Sequence, residues 1–141
     1  MQKNIMQTDF FKWNKAFETG ITKIDIQHKV IVKILNELYD IIIGNEQEEK
    51  INEIIHELIQ YTKYHFSEEE KLFEKYNYIE KVEHEKEHEN FVEEIKTVVS
   101  QMNTDKGMVA IELLNFLKDW LTEHIMVTDQ KYVKFFKENG L

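Results

Sequence analysis

The chain has no cysteine, no proline and no arginine, and only four glycines among its 141 residues. Without cysteine it cannot form disulfides, thiolate metal sites or cysteine nucleophiles. Without proline, and with so little glycine, few residues interrupt a helical pattern. The length fits one domain with a single core. The formal net charge of −9 argues against nucleic acid and anionic membrane surfaces as partners.

Long hydrophobic runs are also absent. No stretch approaches the length of a membrane span, and the first residues, MQKNIMQTDF, lack the apolar segment of a signal peptide. We therefore expect a cytoplasmic protein. No repeat, linker or low-complexity tract divides the sequence, so residues 1–141 are interpreted as a single domain.

Apolar residues recur with helical periodicity in four stretches, which follow an aromatic-rich arm of residues 1–21. Helices are predicted over about residues 22–43, 48–76, 79–102 and 108–129. Residues 130–141 are predicted to include a short helix that packs on the others. Short connections between four helices favour an all-α, up-down-up-down four-helix bundle over residues 22–129.

Seven polar side chains interrupt the inward-facing apolar stripes of these helices: His28, His65, Glu69, His84, His88, His124 and Asp129. In an up-down bundle, the odd helices begin and the even helices end at the same end of the molecule. The polar residues of the first and third helices lie near helix starts, and those of the second and fourth lie near helix ends. All seven are therefore expected to converge on one layer.

Such a layer needs a compensating cation. A single histidine on an apolar face is more often an ordinary core residue than a ligand, but here five of the six histidines join two carboxylates. Burying them unpaired would cost many kcal/mol, and there is no arginine to pair the carboxylates. We interpret the layer as a metal site. His56 falls on the opposite side of its helix from His65 and is expected to face solvent.

Spacing within the helices supports this interpretation. Two pairs are four residues apart and share a helix face: His65 with Glu69, and His84 with His88. His124 and Asp129 are five residues apart. These two can share a site only if the metals lie between them or if the helix loosens, for example through a π-type turn.

Other acidic residues close to the predicted ligands in sequence are not expected to be the main metal ligands. Glu68 is a weaker ligand candidate than Glu69, and Glu70 is expected to point away from the site. An acidic string in the third helix is interpreted as a solvated surface: Glu83, Glu85, Glu87 and Glu89.

The complete set of motifs resembles the ligand signature of the hemerythrin family: Ile24-Asp25-x-Gln27-His28, His65-x-x-x-Glu69, His84-x-x-x-His88 and His124-x-x-x-x-Asp129. The resemblance covers nearly the whole chain, including the aromatic arm around Trp13. The bacterial single-domain members, the bacteriohemerythrins, are the most similar. No ligand position departs from the pattern.

The resemblance implies two iron ions per chain, bridged by Glu69, Asp129 and a solvent-derived oxo or hydroxo group. It assigns His84, His88 and His124 to one iron. It assigns His28 and His65 to the other. The iron with two histidines keeps one open position, where the family binds dioxygen reversibly as a hydroperoxide. The implied function is a non-haem oxygen carrier, storage or delivery protein and not an enzyme.

Six residues are expected to form a pocket over the open position: Trp13, Ile31, Phe66, Trp120, Leu121 and Ile125. Their expected role is to keep water and protons away from bound dioxygen. Ordinary core packing is the alternative for each of them.

Other functions stay open from the sequence. One alternative is an oxygen or redox sensor that acts through a partner, and another is iron storage or the detoxification of peroxide or nitric oxide. A mononuclear or di-zinc structural site is a third, although structural zinc sites leave no open position. Neutral imidazole ligands favour a reversible ferrous pair and thus the carrier. We expect a monomer, and delivery would need an oxygen-receiving protein that the sequence does not identify.

Overall fold

The computed structural model describes residues 10–44, 48–101 and 106–140, without the side chains of residues 48, 49 and 106–109. Over these residues it contains helices and no strand. The elements are α1 (Thr22–Ile43), α2 (Glu48–Tyr76), α3 (Lys81–Ser100), α4 (Lys106–Glu123), a π-helical segment (His124–Thr128) and α5 (Asp129–Glu138), preceded by a 3-10 turn (Lys15–Phe17). The predicted all-α class is confirmed.

The helices form the predicted four-helix bundle. α1 packs against α2 and α4, and α3 packs against α2 and α4, so each helix lies beside its neighbours in sequence and the last returns to the first. Among the described residues, no helix has both the length and the hydrophobicity that crossing a membrane requires.

The boundary between α2 and α3 differs from the prediction. Asn77 has a positive φ of 52°, and the backbone N–H of Tyr78 donates to the carbonyl of Phe73. This is the hydrogen-bond pattern of a helix C-terminus closed by a left-handed residue, a conformation that asparagine tolerates better than most residues. A further turn over Tyr78–Lys81 delays α3, which begins at Lys81 instead of Ile79.

The fourth helix also differs from the prediction. It begins at Lys106 instead of at about residue 108, and residues 102–105 before it lie outside the described residues. At its other end, α4 continues through the π-helical segment into α5 with helical backbone angles at Glu123, Thr128 and Asp129. The predicted separate terminal helix is therefore an extension of α4.

The described part of the arm is bound to α1. The backbone N–H of Phe11 donates to the Asn36 side chain at 2.8 Å, and the Asn36 amide donates back to the Phe11 carbonyl at 3.0 Å. Phe10 stacks on Tyr39 with ring centroids 4.7 Å apart. Residues 1–9 of the predicted arm lie outside the described residues.

Two apolar clusters flank a polar layer. The larger cluster is formed by residues of α1 to α4 and the arm, and includes Leu35, Leu58 and Leu117. The smaller cluster is mostly aromatic: Ile21, Ile24, Phe73, Tyr78, Tyr132 and Phe136. α5 contributes Tyr132 and Phe136, so the extension of α4 closes one end of the bundle.

Candidate metal centre

The seven predicted ligands lie together in the polar layer, and each is at most 3% exposed. Their nitrogen and oxygen atoms form two overlapping groups in which all ligand atoms are within 4.8 Å of one another. The three-histidine group consists of Glu69, His84, His88 and His124. The two-histidine group consists of His28, His65, Glu69 and Asp129, so Glu69 belongs to both.

Each carboxylate faces histidines of both groups. Glu69 Oε1 lies 3.2 Å from His65 Nε2 and 3.3 Å from His88 Nε2. Asp129 Oδ1 lies 3.0 Å from Nε2 of His84 and of His124, and its Oδ2 lies 3.1 Å from His28 Nε2. Both carboxylates are therefore placed between the two sets of histidines, where a bridging ligand would have to be.

Although the inward-facing atoms of this layer lie 3.0–3.3 Å apart, none of them makes a hydrogen bond of good geometry with another described group. They include Nε2 of all five histidines, Glu69 Oε1 and both oxygens of Asp129, all of them buried. Leaving a buried donor or acceptor unsatisfied costs about 1–3 kcal/mol for each group, and native interiors rarely contain such clusters. Imidazole nitrogens and carboxylate oxygens around one buried centre are the donors that iron or zinc accepts. The residues therefore fit a metal centre.

The π-helical segment brings His124 and Asp129 onto the same side of the helix. In a regular α-helix, residues five apart point about 140° away from each other. Here the backbone N–H of Asp129 donates to the carbonyl of His124, which is an i to i+5 hydrogen bond. The wider turn lets both side chains face the layer, as the predicted π-type turn required.

The residues before His28 fix the entry to α1 and orient a ligand. The Asp25 carboxylate accepts hydrogen bonds from the Thr19 backbone N–H and hydroxyl, both at 2.8 Å, and from the Gly20 N–H at 3.1 Å. Gly20 has a φ of +80°, which favours glycine. Two residues later, Gln27 Oε1 lies 2.6 Å from His65 Nδ1, so that the Nε2 of His65 faces the layer.

Two glutamates contact the outer nitrogens of ligand histidines. Glu70 Oε2 lies 3.0 Å from His88 Nδ1, and Glu87 Oε1 lies 3.6 Å from His124 Nδ1. The prediction that Glu70 points away from the site was wrong. Glu87, which was interpreted as part of a solvated surface, also lies next to a ligand histidine. Helical projection gives the direction of a Cα–Cβ bond, whereas a glutamate side chain is long enough to reach an imidazole on the next helix.

Tyr132 is a site residue that the sequence analysis missed. Its buried hydroxyl donates to Glu69 Oε2 at 2.5 Å. Burial, together with the carboxylates of Asp129 and Glu69, raises the pKa of Tyr132 well above its ordinary value, so the phenol keeps its proton and stays a donor. Tyr132 reaches Glu69 only because α4 continues through the π-helical segment into α5, and no sequence motif points to that contact.

Burial and close contacts shift the pKa values of groups in this layer in different directions, and for His65 burial outweighs the nearby Glu69 and lowers the pKa. Burial and Asp129 raise the pKa of Glu69, but His65 and His88 outweigh them and hold it well below the ordinary value. Burial lowers the pKa of His124, yet Asp129 and Glu87 raise it to about 10. Because an imidazole must be neutral at the nitrogen that binds a metal, a proton on His124 would have to leave that nitrogen before a metal could bind there.

The six predicted pocket residues all lie in or against the larger apolar cluster. Ile31, Phe66, Leu121 and Ile125 are buried, whereas Trp13 and Trp120 are half-buried. Phe66 stacks on His88 at 3.7 Å between ring centroids, and Trp120 stacks on His124 at 4.2 Å. These two rings thus contact histidines of the three-histidine group, and the pocket over an open position stays a prediction.

Both His56, which was expected to face solvent, and Glu68, the weaker ligand candidate, lie outside the two ligand groups. His56 is exposed on the outer face of α2. Glu68 forms ion pairs with Lys23 at 2.6 Å and with Lys71 at 3.1 Å, and is not among the ligand groups. Five of the six histidines are therefore buried in the layer, and only His56 is exposed.

Comparison with known proteins agrees with this geometry. Residues 19–136 match the family model of the hemerythrin HHE cation-binding domain. A bacteriohemerythrin of Clostridium acetobutylicum is 32% identical over 127 residues, which cover 87% of this chain and 98% of that protein. A bacteriohemerythrin of Pseudomonas aeruginosa is 38% identical over 121 residues, covering 86% and 78%.

A solved structure and a further relative also indicate the hemerythrin family. The crystal structure of wild-type hemerythrin superimposes with a TM-score of 0.81 at 28% identity, covering 89% of this chain and 96% of that one. A myohemerythrin of Theromyzon tessulatum is 32% identical over 122 residues, covering 86% of this chain and 90% of its own length. The family match, the relatives and the ligand layer lead to one conclusion: the chain belongs to the hemerythrin family.

Proposed function

We propose that this chain is a non-haem di-iron protein that binds dioxygen reversibly. The observation that carries the proposal is the buried layer of five imidazoles and two carboxylates, whose inward atoms converge without forming hydrogen bonds among the described residues. Family membership supports iron as the metal and dioxygen as the ligand. An oxygen carrier, storage or delivery role follows from reversible binding.

In this proposal, each group of the layer holds one iron. His84, His88 and His124 would hold the first iron, His28 and His65 would hold the second, and Glu69 and Asp129 would be shared by both. When bound, a ferrous pair supplies the electrons for reversible uptake of dioxygen. The placement of both carboxylates between histidines of the two groups supports their role as bridges.

The protein's own residues keep this layer oriented and dry. Gln27 fixes the ring of His65, and Tyr132 holds one oxygen of Glu69. The larger apolar cluster and the smaller aromatic cluster cover the layer on both sides. Excluding water in this way protects a reactive bound ligand from protons.

The donor set favours a carrier over an oxidase. Carboxylate-rich di-iron sites in other four-helix bundles use several glutamates, and anionic oxygen donors stabilise high oxidation states. Here neutral imidazoles outnumber carboxylates. We therefore propose binding without turnover, in a monomer located in the cytoplasm, with a separate oxygen-receiving protein if dioxygen is delivered.

The test combines metal analysis with visible spectroscopy. The protein reconstituted with ferrous iron under anaerobic conditions should hold two irons per chain. Air should produce a coloured species, and removal of oxygen should restore the colourless form over repeated cycles. Iron content near zero would contradict the metal site, and one irreversible oxidation with release of peroxide would contradict reversible binding.

A further inference from the structure

The outer nitrogens of the ligand histidines have unequal partners. In the three-histidine group, His88 Nδ1 lies 3.0 Å from the Glu70 carboxylate. In the two-histidine group, His65 Nδ1 contacts the neutral amide of Gln27 at 2.6 Å. His28 Nδ1 is buried and has no hydrogen-bond partner within the part of the chain that the structure describes. The difference is one of charge, because only the first group has an anionic partner within hydrogen-bond distance.

The contact between Glu70 and His88 combines a buried imidazole with a partly exposed carboxylate. The His88 side chain is 3% exposed, whereas that of Glu70 is 35% exposed. Glu70 also lines a cleft of about 260 Å³ between α2 and α3. The Glu70 carboxylate is therefore partly open to solvent at the edge of the site, while the imidazole that it contacts is enclosed.

The ring of His88 has little freedom to turn away from this partner. Phe66 stacks on its face with an interplanar angle of 5°. Its Nε2 points inward, 3.3 Å from Glu69 Oε1. With Nδ1–H directed at Glu70, the inward nitrogen is left free for a metal.

A hydrogen bond to a carboxylate is stronger than one to a neutral acceptor, and it makes the imidazole a stronger donor to its metal. A stronger donor stabilises ferric iron more than ferrous iron. Building on the proposed di-iron function, we infer that Glu70 is a positioning residue that acts through His88. It fixes the ring and makes the iron of the three-histidine group easier to oxidise.

The experiment compares three Glu→Gln substitutions, each of which removes one negative charge at a different distance from the site. Glu70→Gln removes it at 3.0 Å from a ligand imidazole, and Glu87→Gln removes it at 3.6 Å from His124. Glu74→Gln is the matched control, because Glu74 lies one turn after Glu70 on α2, is 72% exposed and pairs with Lys81. Exposed charges of this kind are screened by salt over about 10 Å.

The measurement is the midpoint potential of the iron-loaded protein, obtained by spectroelectrochemical titration at constant ionic strength. Glu70→Gln should disfavour the oxidised form about tenfold, which is about 59 mV upward for a one-electron couple. Glu87→Gln should give a smaller upward shift, and Glu74→Gln should match the parent. Equal shifts in all three variants would reduce the effect to net charge and overturn the inference, as would no shift in Glu70→Gln.

Weak iron binding by Glu70→Gln would not prevent the test. The potential shift is proportional to the logarithm of the ratio between the losses in ferric and ferrous affinity, so titration with each ion gives the same information. The inference requires the ferric loss to be the larger, and equal losses overturn it. A parent protein that binds no iron would defeat the proposed function itself, whereas an iron-loaded parent with an unshifted Glu70→Gln variant defeats only the role of Glu70.

Discussion

The two halves of the ligand layer use the same kind of ligand in different surroundings. The three-histidine half lies against aromatic rings, with Phe66 on His88 and Trp120 on His124, and it has half-exposed glutamates at its edge. In the two-histidine half, the rings of His28 and His65 lie 4.6 Å apart, edge to face, and a neutral amide holds one of them. Imidazole ligands alone therefore do not make the two halves equivalent.

This difference suggests a division of roles. The half with more histidines, stacked rings and an anionic partner is built to hold a metal rigidly. The other half has fewer histidines and no charged partner among the described contacts of His65 Nδ1. A ligand such as dioxygen would bind where the protein supplies fewer donors. The predictions below test this comparison, from the largest expected effect to the smallest.

Removing both irons should have the largest effect, because it leaves five imidazoles and two carboxylates buried without a metal to bind them. A ligand present at 1,000 times its dissociation constant stabilises the folded state by about 4 kcal/mol. At about 3 °C for each kcal/mol, the iron-free protein should melt about 12 °C or more below the loaded protein. Calorimetry on both forms measures this difference, and coincident melting curves would exclude a buried metal site.

Loss of a ligand from the three-histidine half should come next. His84→Ala removes a buried imidazole and should weaken iron binding at that half by at least about 100-fold, more than is usual for an outer partner. Iron content after gel filtration is the measurement. His56→Ala is the control, because it removes an exposed histidine from α2. The ligand assignment would be wrong if the two variants retained the same amount of iron.

The pocket prediction concerns the two-histidine half. Leu121→Ala should keep both irons and still bind dioxygen, yet the oxygenated form should oxidise irreversibly several times faster because water reaches it. Leu38→Ala is the control, since both leucines are at most 2% exposed and either truncation costs about 2–5 kcal/mol. Decay of the oxygenated spectrum gives the rates. Equal rates for the two variants would locate the pocket elsewhere.

The smallest predicted effect concerns the Tyr132 hydroxyl, which donates a hydrogen bond to Glu69. Tyr132→Phe removes the donor to Glu69 and should lower the free energy of unfolding by about 1.5–3 kcal/mol, as for a hydrogen bond to a charged group. Tyr78→Phe is matched in chemistry and cluster, but its hydroxyl reaches Glu80 at 3.3 Å in a partly buried position. That variant should lose about 1 kcal/mol or less. Denaturant unfolding of the iron-loaded proteins distinguishes the two, and similar losses would make the Tyr132 contact unimportant.

The sequence predicted the ligand layer because its information is periodic. Positions four residues apart share a helix face, and short connections fix which helix ends meet, so His65, Glu69, His84 and His88 could be assigned without coordinates. The spacing of His124 and Asp129 also required a looser turn, and the π-helical segment supplies it. The bounds of α1 and α2 were predicted as well.

The contacts around the layer depended on tertiary structure. Glu70 reaches His88 on another helix, and Tyr132 reaches Glu69 only because α5 continues from α4 through the π-helical segment. Helical periodicity gives the face on which a residue lies, but not how far a long side chain extends across a helix interface. By itself the sequence determined which residues face the centre of the bundle, since that follows from local geometry. Which groups touch the outer atoms of those residues was decided only when the helices packed, because such contacts join residues far apart in the chain.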